Sequence, residues 1–154
     1  MTDVHIKHLL SALENSATQL NLAADQANTI LKTTEENLVA LEIGLEFWSS
    51  APIAKKSRTG SLGPNDLHTM GICKVGKKWC LATKPVKLVS GFYQGDMNCP
   101  FEDQFDDGDP KSIADSSREM RVIAYGYLPE FLGEYLEHVN KQSQKLNQVS
   151  QSLM

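Results

Sequence analysis

Hydrophobic positions in the first third of the chain recur in alternating steps of four and three. They are Ile6, Leu10, Leu13, Ala17, Leu20, Ala24, Ala27, Leu31, Leu38, Leu41, Leu45 and Trp48, with Thr34 the one polar member. On an α-helix this spacing keeps one stripe facing a partner over about six heptads, the pattern of a coiled coil. No proline precedes Pro52, and Gly44 is the only glycine in the stretch. The pattern therefore predicts one helix over about 4–49. At ~1.5 Å per residue, residues 5–48 would span roughly 65 Å. A helix that long needs a second long helix to cover its stripe.

The C-terminal segment offers one. Val122, Tyr125, Leu128, Leu132, Tyr135, Val139, Leu146, Val149 and Leu153 follow the same spacing, with polar Gln142 filling one position. Helices are predicted over about 116–150, broken near Pro129 into 116–127 and a longer piece, because proline is tolerated in a first turn. Asp115, Ser116 or Ser117 would cap the start, with Glu119 completing a capping box. Small Ala17, Ala24 and Ala27 would admit bulky Leu128, Leu132 and Tyr135. The pairing expected is antiparallel, with the middle of the chain inserted at one end.

Between the helices the period changes. Residues 50–68 are rich in Gly, Pro, Ser and Lys and read as a basic loop. Alternating stretches at about 69–75, 78–84 and 86–93 read as a three-stranded antiparallel β-meander, and 94–115 as an acidic loop. The fold class expected is α+β in one domain: helix 1–49, loop 50–68, meander 69–93, loop 94–115 and helices 116–154.

The meander contains GICKVGKKWCLAT, residues 71–83. Gly76-Lys77 fits a two-residue II′ turn, which sets Cys73 opposite Cys80, Lys74 opposite Trp79 and Ile72 opposite Leu81. One face then carries Ile72, Trp79 and Leu81, the other Cys73, Val75, Cys80 and Ala82. Zinc wants about four ligands at fixed spacing, and only Cys99 and His68 are nearby candidates. A bridge is within reach at a Cα separation of ~5.5 Å, but a reducing compartment opposes it. Packing across the hairpin is the favoured reading. Lys74 over Trp79 is a plausible cation–π pair.

Composition narrows the function classes. A 154-residue chain with 41% hydrophobic and 22% charged residues is an ordinary globular domain. Three cysteines are too few for a disulfide scaffold. The N-terminus lacks a signal-peptide pattern and no stretch is long and apolar enough for a membrane span, so a cytoplasmic location is expected. The net charge of −4 hides a basic middle: residues 55–95 carry eight basic side chains and one acidic, whereas 96–117 carry one basic and seven acidic.

Lys55, Lys56, Arg58, Lys74, Lys77, Lys78 and Lys84, with Trp79, are the candidate binding residues for a small phosphate-bearing ligand or an acidic protein. Lys87 belongs to the same basic set. Nucleic acid is disfavoured by the overall acidity and the lack of an aromatic-rich sheet face. His5, His8, His68 and His138 form no catalytic or metal motif, and no phosphate-loop, dinucleotide or nucleophile-elbow pattern occurs. Glu102, Asp103, Asp106, Asp107 and Asp109 miss the EF-hand spacing, with Phe105 at position 3 and Ala114 at position 12. Neither a metal nor a cofactor is expected.

The long heptad helix, the G-x-x-K-V-G-K-K-W-x-L-A hairpin and the C-terminal helix together resemble a loose group of small bacterial and phage proteins. The resemblance implies an architecture, with no function and no site residue. The function expected is that of a non-enzymatic binding protein assembled as a homodimer or higher oligomer through a seam including Leu13, Leu20, Leu31, Leu38, Leu41 and Leu45. The alternatives are a phage- or defence-related inhibitor that sequesters a nucleotide or host protein, and a small enzyme using a thiol or histidine.

Overall fold

The computed structural model describes residues 2–57 and 62–153, with side chains outside 54–66. It is α+β: two long helices and a curled antiparallel sheet. Helix α1 runs Thr2–Ala40. Strands follow as β1 (Phe47–Trp48), β2 (Ala54–Ser57), β3 (Leu62–Val75), β4 (Lys78–Phe92), β5 (Pro100–Asp106) and β6 (Lys111–Ser112), and helix α2 spans Arg118–Leu153. The sheet order is β1-β3-β4-β5, with β2 also on β3 and β6 also on β4.

α1 ends nine residues before the expected 49. Glu42 and Gly44 take φ of 52° and 68°, and a left-handed backbone stops helical propagation. Continuing the helix would hold Phe47 and Trp48 about 100° apart on one cylinder. As β1 they instead point to opposite faces of the sheet. Phe47, paired with Ile72, stacks against Tyr135 (5.7 Å) and His138 (5.0 Å) of α2. Trp48, paired with Gly71, covers the other face.

α2 is unbroken although Pro129 lies inside it. Proline removes one N–H donor, but the turns on either side are anchored by Ala124, Leu128, Phe131 and Tyr135, all buried. Its cap is Ser117, whose Oγ accepts the Met120 N–H at 3.2 Å. Met120, not Glu119, therefore holds the third helical position, and no capping box forms.

The helices run in the same direction where they touch, not antiparallel. Arg118 at the start of α2 donates to Asn21 Oδ1 at 2.7 Å. Leu31 packs with Ala124 and Leu128, and Tyr135 Oη reaches the carbonyl of Leu45. Periodicity defines a face, not a direction, so the pattern alone was silent on this point. Each helix consequently extends past the other at opposite ends. The heptad stripe is buried only at Ala24, Ala27 and Leu31, and the residues before it are exposed.

The hairpin register is as the sequence predicts: Cys73 opposite Cys80, Lys74 opposite Trp79 and Ile72 opposite Leu81. Gly76 takes φ 67° while Lys77 does not become positive, consistent with a II′ turn. The two faces also divide as expected. Met70, Ile72 and Leu81 join the main core under the helices, with Trp79 packed at its edge. Cys73, Cys80 and Ala82 form a second cluster with Trp48 and Val75.

The meander itself is different. β4 passes straight through Pro85, where a strand break was expected, and the third main strand is β5, inside the predicted acidic loop. Pro85 sits between the stretch paired with β6 (82–83) and the stretch paired with β5 (86–92). Its carbonyl accepts from Asp107 at 2.9 Å on that edge. The N–H and C=O of a strand residue face the same edge, so the donor that proline lacks falls at a gap in the pairing. No helix of the described residues is long and apolar enough to cross a membrane.

Candidate functional site

The β3–β4 turn carries Lys74, Lys77 and Lys78, all exposed, beside half-buried Trp79. Cross-strand pairing brings Lys74 Nζ to 5.6 Å from the Trp79 ring centroid, within cation–π range. Below Trp79 lies a cleft of about 340 Å³, bounded by Leu38 in the last turn of α1, by Glu42 and Ile43 just after it, and by Ile72 and Tyr135. Four of the sequence-selected residues thus share one tip.

Lys84 does not belong with them. It pairs with Thr69 on the face opposite Trp79, where its Nζ lies 3.1 Å from Asp106 and 4.2 Å from the Trp48 ring centroid. Its side chain is 14% exposed, and its charge is already committed to Asp106. The side chains of Lys55 and Lys56, and all of Arg58, lie outside the described residues. Of the proposed seam, Leu31 is buried within the domain and Leu38 packs on its core. Leu45 follows the helix, and Leu13, Leu20 and Leu41 are exposed.

Cys73 and Cys80 are buried and unbridged. Burial foremost, and then the neighbouring Cys80, pushes the Cys73 thiol up to about 11; burial raises Cys80 as well. A thiol so placed supplies little thiolate near neutrality. Among the described residues, no group of three or more His, Cys, Asp or Glu is placed to hold a metal.

A second cleft was not apparent in the sequence. It has a volume of about 440 Å³ and opens between α1, β4 and the turn before α2, lined by Asn28, Leu31, Lys32, Glu35, Leu81, Ile113, Ala114 and Arg121. The Glu35 carboxylate accepts the Leu81 N–H at Oε1, 2.8 Å away. Arg121 donates through Nη1 to the Ser116 carbonyl at 2.8 Å, while its Nε is buried without a hydrogen-bond partner. These residues are far apart in the chain and come from α1, β4, the turn before α2 and α2 itself, so no local motif announces them.

Burial pushes the Glu35 carboxyl above its ordinary value of 4.5; the Leu81 N–H opposes this and nearby Glu36 adds to it. A carboxyl raised by folding takes up its proton more readily in the native state than in the unfolded chain. Its contribution to stability is thus greatest below the unfolded value and declines as pH rises through the folded one. Glu35→Gln keeps an acceptor for Leu81 and removes the buried charge. The variant should equal the parent in urea midpoint near about pH 4 and exceed it near about pH 8. An advantage that shrinks with rising pH would contradict the assignment; Lys32, Arg121, Glu36 and Cys80 are the titratable neighbours to hold constant.

No family model, curated protein or solved structure matches the chain, so function rests on these surfaces.

Proposed function

We propose that this chain is a non-enzymatic, self-associating binding protein whose helical overhangs pair with a second copy, leaving the basic hairpin tip to engage an acidic protein or small anionic ligand. One observation carries the reading. The heptad stripe that is buried at Ala24, Ala27 and Leu31 continues toward the N-terminus through Ile6, Leu10, Leu13 and Leu20, each more than half exposed. Contiguous exposed apolar surface of that kind marks interaction sites.

The parallel offset of the helices favours a closed dimer. Residues 2–20 of α1 project ~28 Å past one end and residues 140–153 of α2 ~21 Å past the other. A two-fold axis perpendicular to the helices sets each α1 overhang antiparallel to the partner's α2 overhang, where Leu146, Val149 and Leu153 are also exposed. The charges agree: the α1 overhang carries Asp3 and Glu14 against Lys7, the α2 overhang only Lys141 and Lys145. The raised thiol of Cys73 and the absence of a nucleophile–base motif in the sequence weigh against an enzyme.

Light scattering on the full chain at micromolar concentration should report a dimer. Leu10→Glu combined with Leu13→Glu should give a monomer with unchanged tryptophan emission, because Trp48 and Trp79 sit in the distant sheet. A monomeric parent protein, or a variant that stays dimeric, refutes the reading.

A further inference from the structure

We infer that the cleft between α1, β4 and the start of α2 is a binding site for a small organic carboxylate with an apolar body, held by Arg121 and Lys32 over a floor of Leu31, Leu81 and Ile113. This goes beyond the self-association above and uses none of the exposed overhang residues on which that reading depends.

The cleft's volume of about 440 Å³ lies inside the ~300–1,000 Å³ range of small-molecule sites, which combine apolar walls with a few convergent polar groups. The walls fit that description: Leu31, Leu81 and Ile113 are buried core residues presenting part of their surface to the cleft. The polar groups are unbalanced in a specific way. Neither Arg121 nor Lys32 forms an ion pair among the described residues. An uncompensated guanidinium at the edge of a core is costly, and its charge is the feature an incoming anion would neutralise.

Arg121 also restricts the shape of that anion. Ser116 occupies Nη1, leaving the Nε–Nη2 edge, whose two parallel N–H groups match the two oxygens of a carboxylate. Nε is buried and unpartnered, and a small rotation of the guanidinium on ligand entry gives it the acceptor it lacks. Glu35 on the α1 wall does not counter this. One of its oxygens is tied to the Leu81 N–H, and burial disfavours its charged form. The apolar floor selects for a ligand body without polar groups, since polar atoms set against Leu31 and Ile113 would lose their water without replacement.

The test uses the ¹⁵N-labelled full chain titrated with hexanoate, and in parallel with hexan-1-ol and inorganic phosphate. Hexanoate should produce saturable shifts at the Leu81 and Ile113 amides and at the Arg121 Nε–H, with neither control doing so at equal concentration. Arg121→Gln should weaken hexanoate binding about tenfold or more, the scale of a lost charge-assisted bidentate contact. Ala114→Trp, which leaves every charge in place and fills the cleft, should weaken it similarly. The proposal is overturned if hexanoate gives no saturable shift, if hexan-1-ol or phosphate shifts the same signals equally, or if the shifts map away from the cleft. It is also overturned if folded Arg121→Gln binds hexanoate as the parent does. Should either variant fail to fold, the parent's hexanoate-against-hexanol comparison and its shift map decide the matter alone.

Discussion

Replacing Phe131 with alanine is expected to remove about 3–5 kcal/mol of folding stability, the range for emptying a buried phenylalanine site. Phe131 is fully buried on the face of α2 that meets the sheet. Its ring lies 5.9 Å from that of Phe47 and 6.0 Å from that of Tyr135, so one side chain ties β1, α2 and the core together. Neighbours cannot readily collapse into the space, because Phe47 is held by strand pairing and Tyr135 by its hydrogen bond to the Leu45 carbonyl. A domain of this size has ~5–15 kcal/mol in total, so the variant should be the most damaging single truncation of the core. Urea unfolding followed by tryptophan fluorescence reads it; a midpoint within error of the parent would mean that α2 is not docked as described.

Gly71→Ala is the second large effect, and it acts through crowding. A Cβ at this position would overlap the Trp48 ring and come within 2.6 Å of the Phe47 carbonyl oxygen. The ring can swing away, but the carbonyl belongs to β1, so the strand itself must move. A cost of about 1–3 kcal/mol is expected, with Trp48 emission shifting to the red as the ring leaves the Cys73–Cys80–Ala82 cluster. In a Trp48→Ala background the added cost of Gly71→Ala should fall without vanishing, because the backbone contact remains. If the double variant shows no reduction, Trp48 does not cover Gly71.

The hairpin was the most legible part of the chain. Gly76-Lys77 and a run of alternating residues specify the turn, and the turn specifies every cross-strand partner from Cys73–Cys80 outward. The same local chemistry placed Lys74 against Trp79. Lys84, on β4, stands apart from that tip because its neighbour Asp106 arrives from β5, a strand hidden in an acidic stretch whose composition reads as loop. PFEDQFD, residues 100–106, is exposed along its length and exists as a strand because β4 continues through Pro85 to pair with it. The Glu35–Arg121 cleft was illegible for a related reason. Its walls come from α1, β4 and α2, and no spacing within any one of them records the others.

The amino-acid pattern by itself determined the α+β class, the two long amphipathic helices, the hairpin register and the assignment of Ile72 and Leu81 to one sheet face and Cys73 and Cys80 to the other. Each follows from a local period or a turn, which the chain carries wherever it folds. Only the tertiary structure decided where α1 stops, that the helices run in the same direction, how many strands the sheet has and which charged residues meet. Those outcomes depend on the aromatic stack of Phe47 with α2, the gap that tolerates Pro85 and the pairing of Lys84 with Asp106. All are contacts between distant segments, and the hydrophobic period that defines a face does not record which partner will cover it.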